Sequence, residues 1–193
     1  NYTLARGETF TTPELACSWS DEGLSGVSRN FHRWGRKWKL AHGGQVNDIL
    51  LNSWEGVYFD INEEGMHAMM KDIADMGGEL FVMDDGWFGD KYPRKDDHTS
   101  LGDWVVDRNK LPGGVEGLVE EAKKNGIKFG IWIEPEMANV GSELYEKHPD
   151  WVLNAAGREL VTGRGGSQVV LDLSNPAVQD FVLGVFDGIM SSW

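Results

Sequence analysis

The feature that most constrains this chain is an alternation: short apolar runs followed by stretches of helical period, repeated from residue 49 onward. Ile49 to Phe59 is rich in apolar, aromatic and β-branched residues and reads as a strand. Asn62 is placed to cap a helix, with Glu63 and Glu64 in its first turn near the positive end of the dipole. Met66, Met69, Met70, Ile73 and Ala74 then fall at helical spacing, a core stripe closed by Gly77-Gly78. Leu80 to Met83 is a second strand. Val115, Leu118, Val119 and Ala122 mark a second helix, ended by Asn125-Gly126, and Ile127 to Ile133 is a third strand. A last helix starts at Ser174 with Pro176 in its first turn, and its apolar face is Val178, Phe181, Val182, Val185, Phe186 and Ile189. Val169 to Leu173 reads as a fourth strand or as part of a long loop; periodicity does not separate the two.

Strands alternating with helices predict an α/β fold with a parallel sheet. The connections narrow the choice. Helix-to-strand links are short, at Gly77-Gly78 and Asn125-Gly126, whereas strand-to-helix links run from Asp84 to about Gly113 and from Glu134 to about Leu173. Elaboration on one face alone is what a (β/α)8 TIM barrel predicts, because its active site is built from loops at the strands' C-terminal ends. A doubly wound sheet also places ligands there and stays as the alternative. No glycine-rich phosphate loop follows any strand, which counts against a nucleotide-binding version. A closed barrel needs about 250 residues, and this chain has 193. The expectation is therefore the N-terminal part of a barrel. With no initiating Met, and Trp193 directly after an apolar helical pattern, the chain reads as a fragment.

Residues 1–45 differ from the rest. Thr9 to Ser20 alternates weakly like a strand, and Arg29, Arg33, Arg36, Lys37 and Lys39 form a basic stretch. A phosphate site is one reading of that stretch; a solvated linker or domain edge is the plainer one. Residues 1–45 are taken as the end of an upstream β-domain, and 46–193 as the partial barrel.

The balance of 18 Lys and Arg against 31 Asp and Glu, a net charge of −13, argues against nucleic acid or an anionic membrane as partner. No apolar run approaches transmembrane length and no signal-peptide pattern opens the chain. The lone Cys17 forms no internal disulfide, which fits a reducing, cytoplasmic setting. Asn1-Tyr2-Thr3 is a glycosylation sequon whose place at the chain end suggests chance. The histidines and the cysteine lack zinc spacing. The acidic loop Asp90 to Asp103 lacks the EF-hand pattern for Ca²⁺ and reads as solvated. No nucleophile elbow is present, and no metal or cofactor is expected.

The polar groups gather where strands end: Trp54-Glu55, then Asp84-Asp85-Gly86-Trp87, then Trp132-Ile133-Glu134-Pro135-Glu136. Adjacent acids repel unless each finds donors, and sugar hydroxyls are such donors. The chain also holds nine tryptophans, whose flat faces suit either core packing or the C–H faces of sugars. Capping of a turn is the plain alternative for Asp84 and Asp85. Glu134 and Glu136, two apart on a strand, would share one face, for ion pairing or for substrate contact. A retaining glycosidase needs two carboxyls roughly 5–5.5 Å apart across the scissile bond. Neighbours such as Asp84 and Asp85 usually diverge, so they suit binding better than opposed acid and base roles.

The segments Asn52-Ser53-Trp54-Glu55, Phe81 to Phe88, Leu101-Gly102-Asp103-Trp104, Phe129 to Met137, His148-Pro149-Asp150-Trp151 and Leu171-Asp172-Leu173-Ser174 resemble, in order and spacing, the bacterial α-galactosidases of glycoside hydrolase family 36. Gly7-Glu8-Thr9-Phe10 through Phe31-His32-Arg33 is similar to that family's passage from its N-terminal β-domain into the barrel. The resemblance implies a retaining, metal-free exo-hydrolase of terminal α-galactosides such as melibiose and raffinose. It implies that Asp84 and Asp85 bind the galactose 4- and 6-hydroxyls, that Trp54 and Trp132 wall the pocket, and that Arg164 helps hold the sugar. Arg164 sits in Gly163-Arg164-Gly165-Gly166-Ser167-Gln168, where the family more often has a shorter run. By the same alignment Val169 to Leu173 belongs to the third loop, leaving three barrel strands. The nucleophile and the acid/base aspartate would lie beyond residue 193, so no catalytic residue is expected in the chain, which would be inactive alone. An open sheet edge and an uncovered helix face imply poor solubility alone. α-Galactoside oligosaccharides are the expected partners, and homo-oligomerisation of the parent is open. A galactosyl-transferring or α-N-acetylgalactosaminidase relative, or a non-catalytic sugar-binding protein, are the alternatives.

Overall fold

A computed structural model describes residues 3–192; Asn1 and Tyr2 of the sequon, and Trp193, lie outside them. The chain divides into two compact units, Asn1–Asn47 and Asp48–Trp193. Among the described residues no helix is long and apolar enough to cross a membrane.

The first unit contains helix α1 (Gly23–Trp38). No strand forms over residues 9–20, which corrects the reading of that stretch: its weak alternation meets no partner strand among the described residues. Leu24, Val27, Phe31, Trp34 and Trp38 instead recur at alternating intervals of three and four, a helical period. The basic stretch lies on this helix and its end. Arg29 pairs with Glu22 at 2.5 Å, Lys39 lies 3.4 Å from Glu14, and Lys37 and Lys39 sit over the rings of Trp38 and Trp34.

The second unit opens with β1 (Leu50–Asn52), the single-turn helix α2 (Trp54–Val57), helix α3 (Glu63–Asp75) and β2 (Leu80–Met83). Helix α4 (Gly114–Lys124) and β3 (Lys128–Ile131) follow. The three strands form one parallel sheet in the order β1-β2-β3, with Leu51, Phe81 and Phe129 in register. Asn62 caps α3 as its spacing predicts, accepting the Gly65 amide at 2.8 Å. Gly77, at φ +84, reverses the chain after α3, and the Gly78 amide returns to the Ile73 carbonyl at 2.8 Å. A side chain at Gly78 would meet Ile73 Cγ1 at 2.3 Å, so the close turn needs glycine there.

The first strand is shorter than its apolar run. Asn52 Oδ1 accepts the Trp54 amide at 2.7 Å and the Ser53 carbonyl accepts those of Gly56 and Val57, so local bonds turn residues 54–57 into a helical turn. The third strand is shorter as well. Glu134 and Glu136 lie past its end, in the turn before β4 (Met137–Asn139), and share no strand face. After helix α5 (Glu143–Lys147), β5 (Gln168–Val170) pairs antiparallel with β4, outside the parallel sheet. The stretch Val169 to Leu173 is thus loop structure rather than a fourth strand of that sheet.

Helix α6 (Pro176–Ser192) begins two residues later than its sequence suggests, because Asn175 Oδ1 accepts the Ala177 amide while Ser174 is held back by Asp172. Of its six expected core residues only Val178 is fully buried. Phe186 is 41% exposed, and the other four are half-buried. The C-terminal half of the helix stands off the sheet: a cavity of about 630 Å³ separates Phe129, Ile131 and Ile133 from Phe186, Ile189 and Met190.

The main core joins Met66, Met70 and Ile73 of α3, Phe81 and Met83 of β2, and Val115, Leu118 and Ala122 of α4. The long segment after β2 adds Trp87, Phe88, Leu101 and Leu111, all fully buried. At roughly 1.5–3 kcal/mol for each large side chain buried, this segment is anchored like a regular element. Lys110 ties its base. Its Nζ donates to the carbonyls of Phe59 at 2.8 Å, Gly86 at 2.7 Å and Arg94 at 2.7 Å, and burial lowers its pKa. Lys110→Met strands all three carbonyls, and we expect it to lower the unfolding free energy by about 3 kcal/mol, read from the denaturant midpoint.

Candidate functional site

Parallel strands all end on one side, and here the chain continues their hydrogen bonding by one step. The Ser53 amide donates to Val82 O at 3.0 Å, the Asp84 amide to Ser53 Oγ at 2.9 Å and the Trp132 amide to Met83 O at 2.9 Å. Asp84 is therefore held directly above the central strand. Asn52 Nδ2 donates to its Oδ2 at 2.6 Å, and the Asp85 amide to its Oδ1 at 2.7 Å. Each oxygen keeps a further lone pair, and the side chain is only half-buried. Trp54, bonded through its amide to the same Asn52, packs edge-on against Tyr58 and Phe59 with centroids 5.2 and 5.0 Å away.

Asp85 points elsewhere. Its carboxylate takes both Nε and Nη2 of Arg94, at 2.8 and 2.6 Å, and both residues are buried, 3% and 0% exposed. Arg94 Nη1 donates to Thr99 O and Asn139 Oδ1, each at 2.9 Å, and the guanidinium lies over the rings of Phe59 and Phe88. The Asp97 carboxylate stands 3.6 Å from Arg94 Nη2 and 3.3 Å from Arg164 Nη1. Arg164 is exposed and has φ +41, followed by Gly165 and Gly166 at φ +70 and +93. A left-handed backbone at a non-glycine residue costs about 1–2 kcal/mol, and the Gly163 amide bonding to Gln168 O at 2.7 Å closes the turn that imposes it.

Trp132 follows β3. Its carbonyl accepts the Trp87 indole at 3.0 Å, and its ring stacks on Phe88 at 6.4 Å and tilts against Trp104 at 6.2 Å. Two residues on, Glu134 is half-buried and its Oε2 is shielded from solvent with no hydrogen-bond partner. Burial pushes its carboxyl above the usual range; Arg164 partly offsets this, while Glu136 and Asp85 push it further. Glu136 is exposed.

Sequence reasoning alone missed Asn52, Arg94 and Asn139. The loop Asp90 to Asp103 is not simply solvated: Arg94, Ser100, Leu101 and Asp103 are buried in it. Asp103 accepts the amides of Glu143 at 2.8 Å and Leu144 at 2.9 Å, capping α5 together with Ser142. Among the described residues no group of three His, Cys, Asp or Glu forms a metal-binding cluster. An arginine among aspartates looks like surface charge in the sequence, and only the packing turns it inward.

Because the folded-state pKa of Glu134 is raised, the native protein binds its proton more readily than the unfolded chain does. The stability linked to that proton is present below the unfolded value of 4.5 and is lost as pH rises through the folded one. Glu134→Gln should therefore raise Tm at pH 7 and leave it near wild type at pH 4, measured by thermal melts across that range.

The sequence profile of the Melibiase family matches residues 9–193. Alpha-galactosidase AgaA of Geobacillus stearothermophilus is 44% identical over 194 residues, covering 99% of this chain and 26% of that protein. Probable alpha-galactosidase C of Aspergillus flavus is 44% identical over 201 residues, covering 100% and 26%. The chain thus spans about a quarter of the length of these relatives. The crystal structure of the family 36 enzyme AgaA from Geobacillus stearothermophilus aligns with a TM-score of 0.82 at 43% identity, over 90% of this chain and 24% of that one. A variant of AgaA solved in complex with raffinose aligns at 0.81 and 43%, with the same coverage. The three parallel strands are accordingly part of a (β/α)8 barrel, not of a doubly wound sheet.

Proposed function

The chain belongs to the Melibiase family, and on that premise we propose that it forms the galactose-binding front of a retaining α-galactosidase. The observation that carries this reading is the placement of Asp84. It stands above the central strand with two donors in place and lone pairs to spare, and Trp54 and Trp132 leave the strands on either side. Those outer strands are two sheet spacings apart, roughly 10 Å, a width that admits a hexose ring between aromatic walls. Asp84 accepts a sugar hydroxyl through its outer lone pairs, Asp85 accepts a second through the lone pairs that Arg94 does not use, and Arg164 donates from the rim.

These residues bind and orient; they do not cleave. Asp84 and Asp85 diverge toward Asn52 and Arg94, so neither opposes the other across a bond as a retaining pair must. The nucleophile and the acid/base carboxyl are proposed to come from residues outside this chain, as its share of its relatives' length allows. Oligosaccharides with a terminal α-galactose, of the raffinose and stachyose type, are the proposed substrates. The raffinose and stachyose complexes of AgaA variants support this class.

In the complete enzyme, Asp84→Asn removes the charge from a hydrogen bond worth about 1.5–3 kcal/mol. The kcat/KM for an aryl α-galactoside should fall roughly 10- to 100-fold. Near-normal kinetics would take Asp84 out of the sugar pocket.

A further inference from the structure

The two charged groups assigned to the sugar beside Asp84 come from distant parts of the chain, yet two other side chains join them. Arg94 grips Asp85 through Nε and Nη2, and Asp97 lies between Arg94 and Arg164 at 3.6 and 3.3 Å through the same oxygen. We propose that Arg94 is a positioning residue that sets the carboxylate plane of Asp85 and, through Asp97, the place of the Arg164 guanidinium. This rests on the reading of Asp85 and Arg164 as sugar ligands.

Three features carry it. Arg94 is fully buried, and its remaining donor, Nη1, is spent on Thr99 O and Asn139 Oδ1, so the guanidinium cannot turn. Asn139 in turn donates to the carbonyls of Asp97 at 2.8 Å and Ser167 at 3.2 Å, and Ser167 Oγ bonds to the Asp97 carbonyl at 3.0 Å. The loop that carries Arg164 is thereby stitched to the loop that carries Arg94. Finally, a buried ion pair is a poor source of stability, since desolvation cancels most of its attraction. What a two-bond fork supplies is geometry: it fixes the plane of the carboxylate and uses one lone pair of each oxygen, which sets where the other lone pairs point. A lysine, as a point charge on a flexible stem, cannot reproduce that fork.

The test is a double-mutant cycle in the full-length enzyme, with kcat and KM measured on an aryl α-galactoside for Arg94→Lys, Asp85→Asn and the pair. Misplacing a binding group should lower kcat/KM for Arg94→Lys by on the order of 100-fold. The pair should lose clearly less than the product of the two single losses, because with Asp85 changed Arg94 has only Arg164 left to position, through Asp97. Losses that multiply, or near-normal kinetics in Arg94→Lys, overturn the positioning role. Near-normal kinetics in Asp85→Asn instead overturn the sugar-ligand reading itself, whatever Arg94 does. Should Arg94→Lys fail to fold, Asp97→Asn decides. That side chain is 40% exposed, and the substitution should raise KM about tenfold with Tm and kcat unchanged; an unchanged KM overturns the link to Arg164.

Discussion

Backbone amides and carbonyls just beyond the ends of three parallel strands need partners once they are covered, and most of this site follows from how they find them. Ser53, Asp84 and Trp132 extend the ladder one residue past each strand. Lys110 gathers three more carbonyls, and the Trp87 indole takes that of Trp132. Each bond that satisfies the backbone also fixes the start of a loop. The side chains at those starts, Trp54, Asp84 and Trp132, are consequently aimed by the sheet rather than by the loops.

The adjacent aspartates show how one local sequence yields two environments. Asp84 meets amide donors and stays half-open; Asp85 meets a guanidinium and is mostly buried. Both arrangements answer the repulsion between neighbouring carboxylates, since each charge has its own partner and they turn apart. The same economy holds along the loop after β2. Arg94 holds Asp85, Asp103 caps α5, and Trp87, Phe88 and Leu101 fill the core, so a segment without regular structure is as anchored as a helix. The site is built on rigid parts even where it is built from loops.

Helix α6 marks the opposite case. Its apolar face has the right period, and Phe181 and Val182 still pack on the small core around Leu144 and Val169, yet further along a cavity lies beneath Phe186 and Ile189, lined by the edge strand β3 and by α4. Periodicity reports which face a helix offers. It does not report whether anything is there to receive it.

Much of the second unit was legible from the sequence because the signals were local. Asn62 with its following glutamates, the Met66 to Ala74 stripe, Gly77-Gly78 and the run Leu80 to Met83 each act through neighbours within a turn or two, and each stands where its spacing predicts. The gathering of Asp84, Trp54 and Trp132 at one end was legible too, since parallel strands must all finish on the same side. Three matters escaped the sequence reading. The end of β1 depended on Asn52 and Ser53 bonding their own backbone, helix α1 hid among charges, and β5 needed a partner that a run of valines does not name. The inward turn of Arg94 depended most of all on tertiary structure. Burying that charge requires Asp85, Asn139 and the Thr99 carbonyl to meet around it, and only the folded chain brings Asn139, 45 residues on, to a loop that has no regular period of its own.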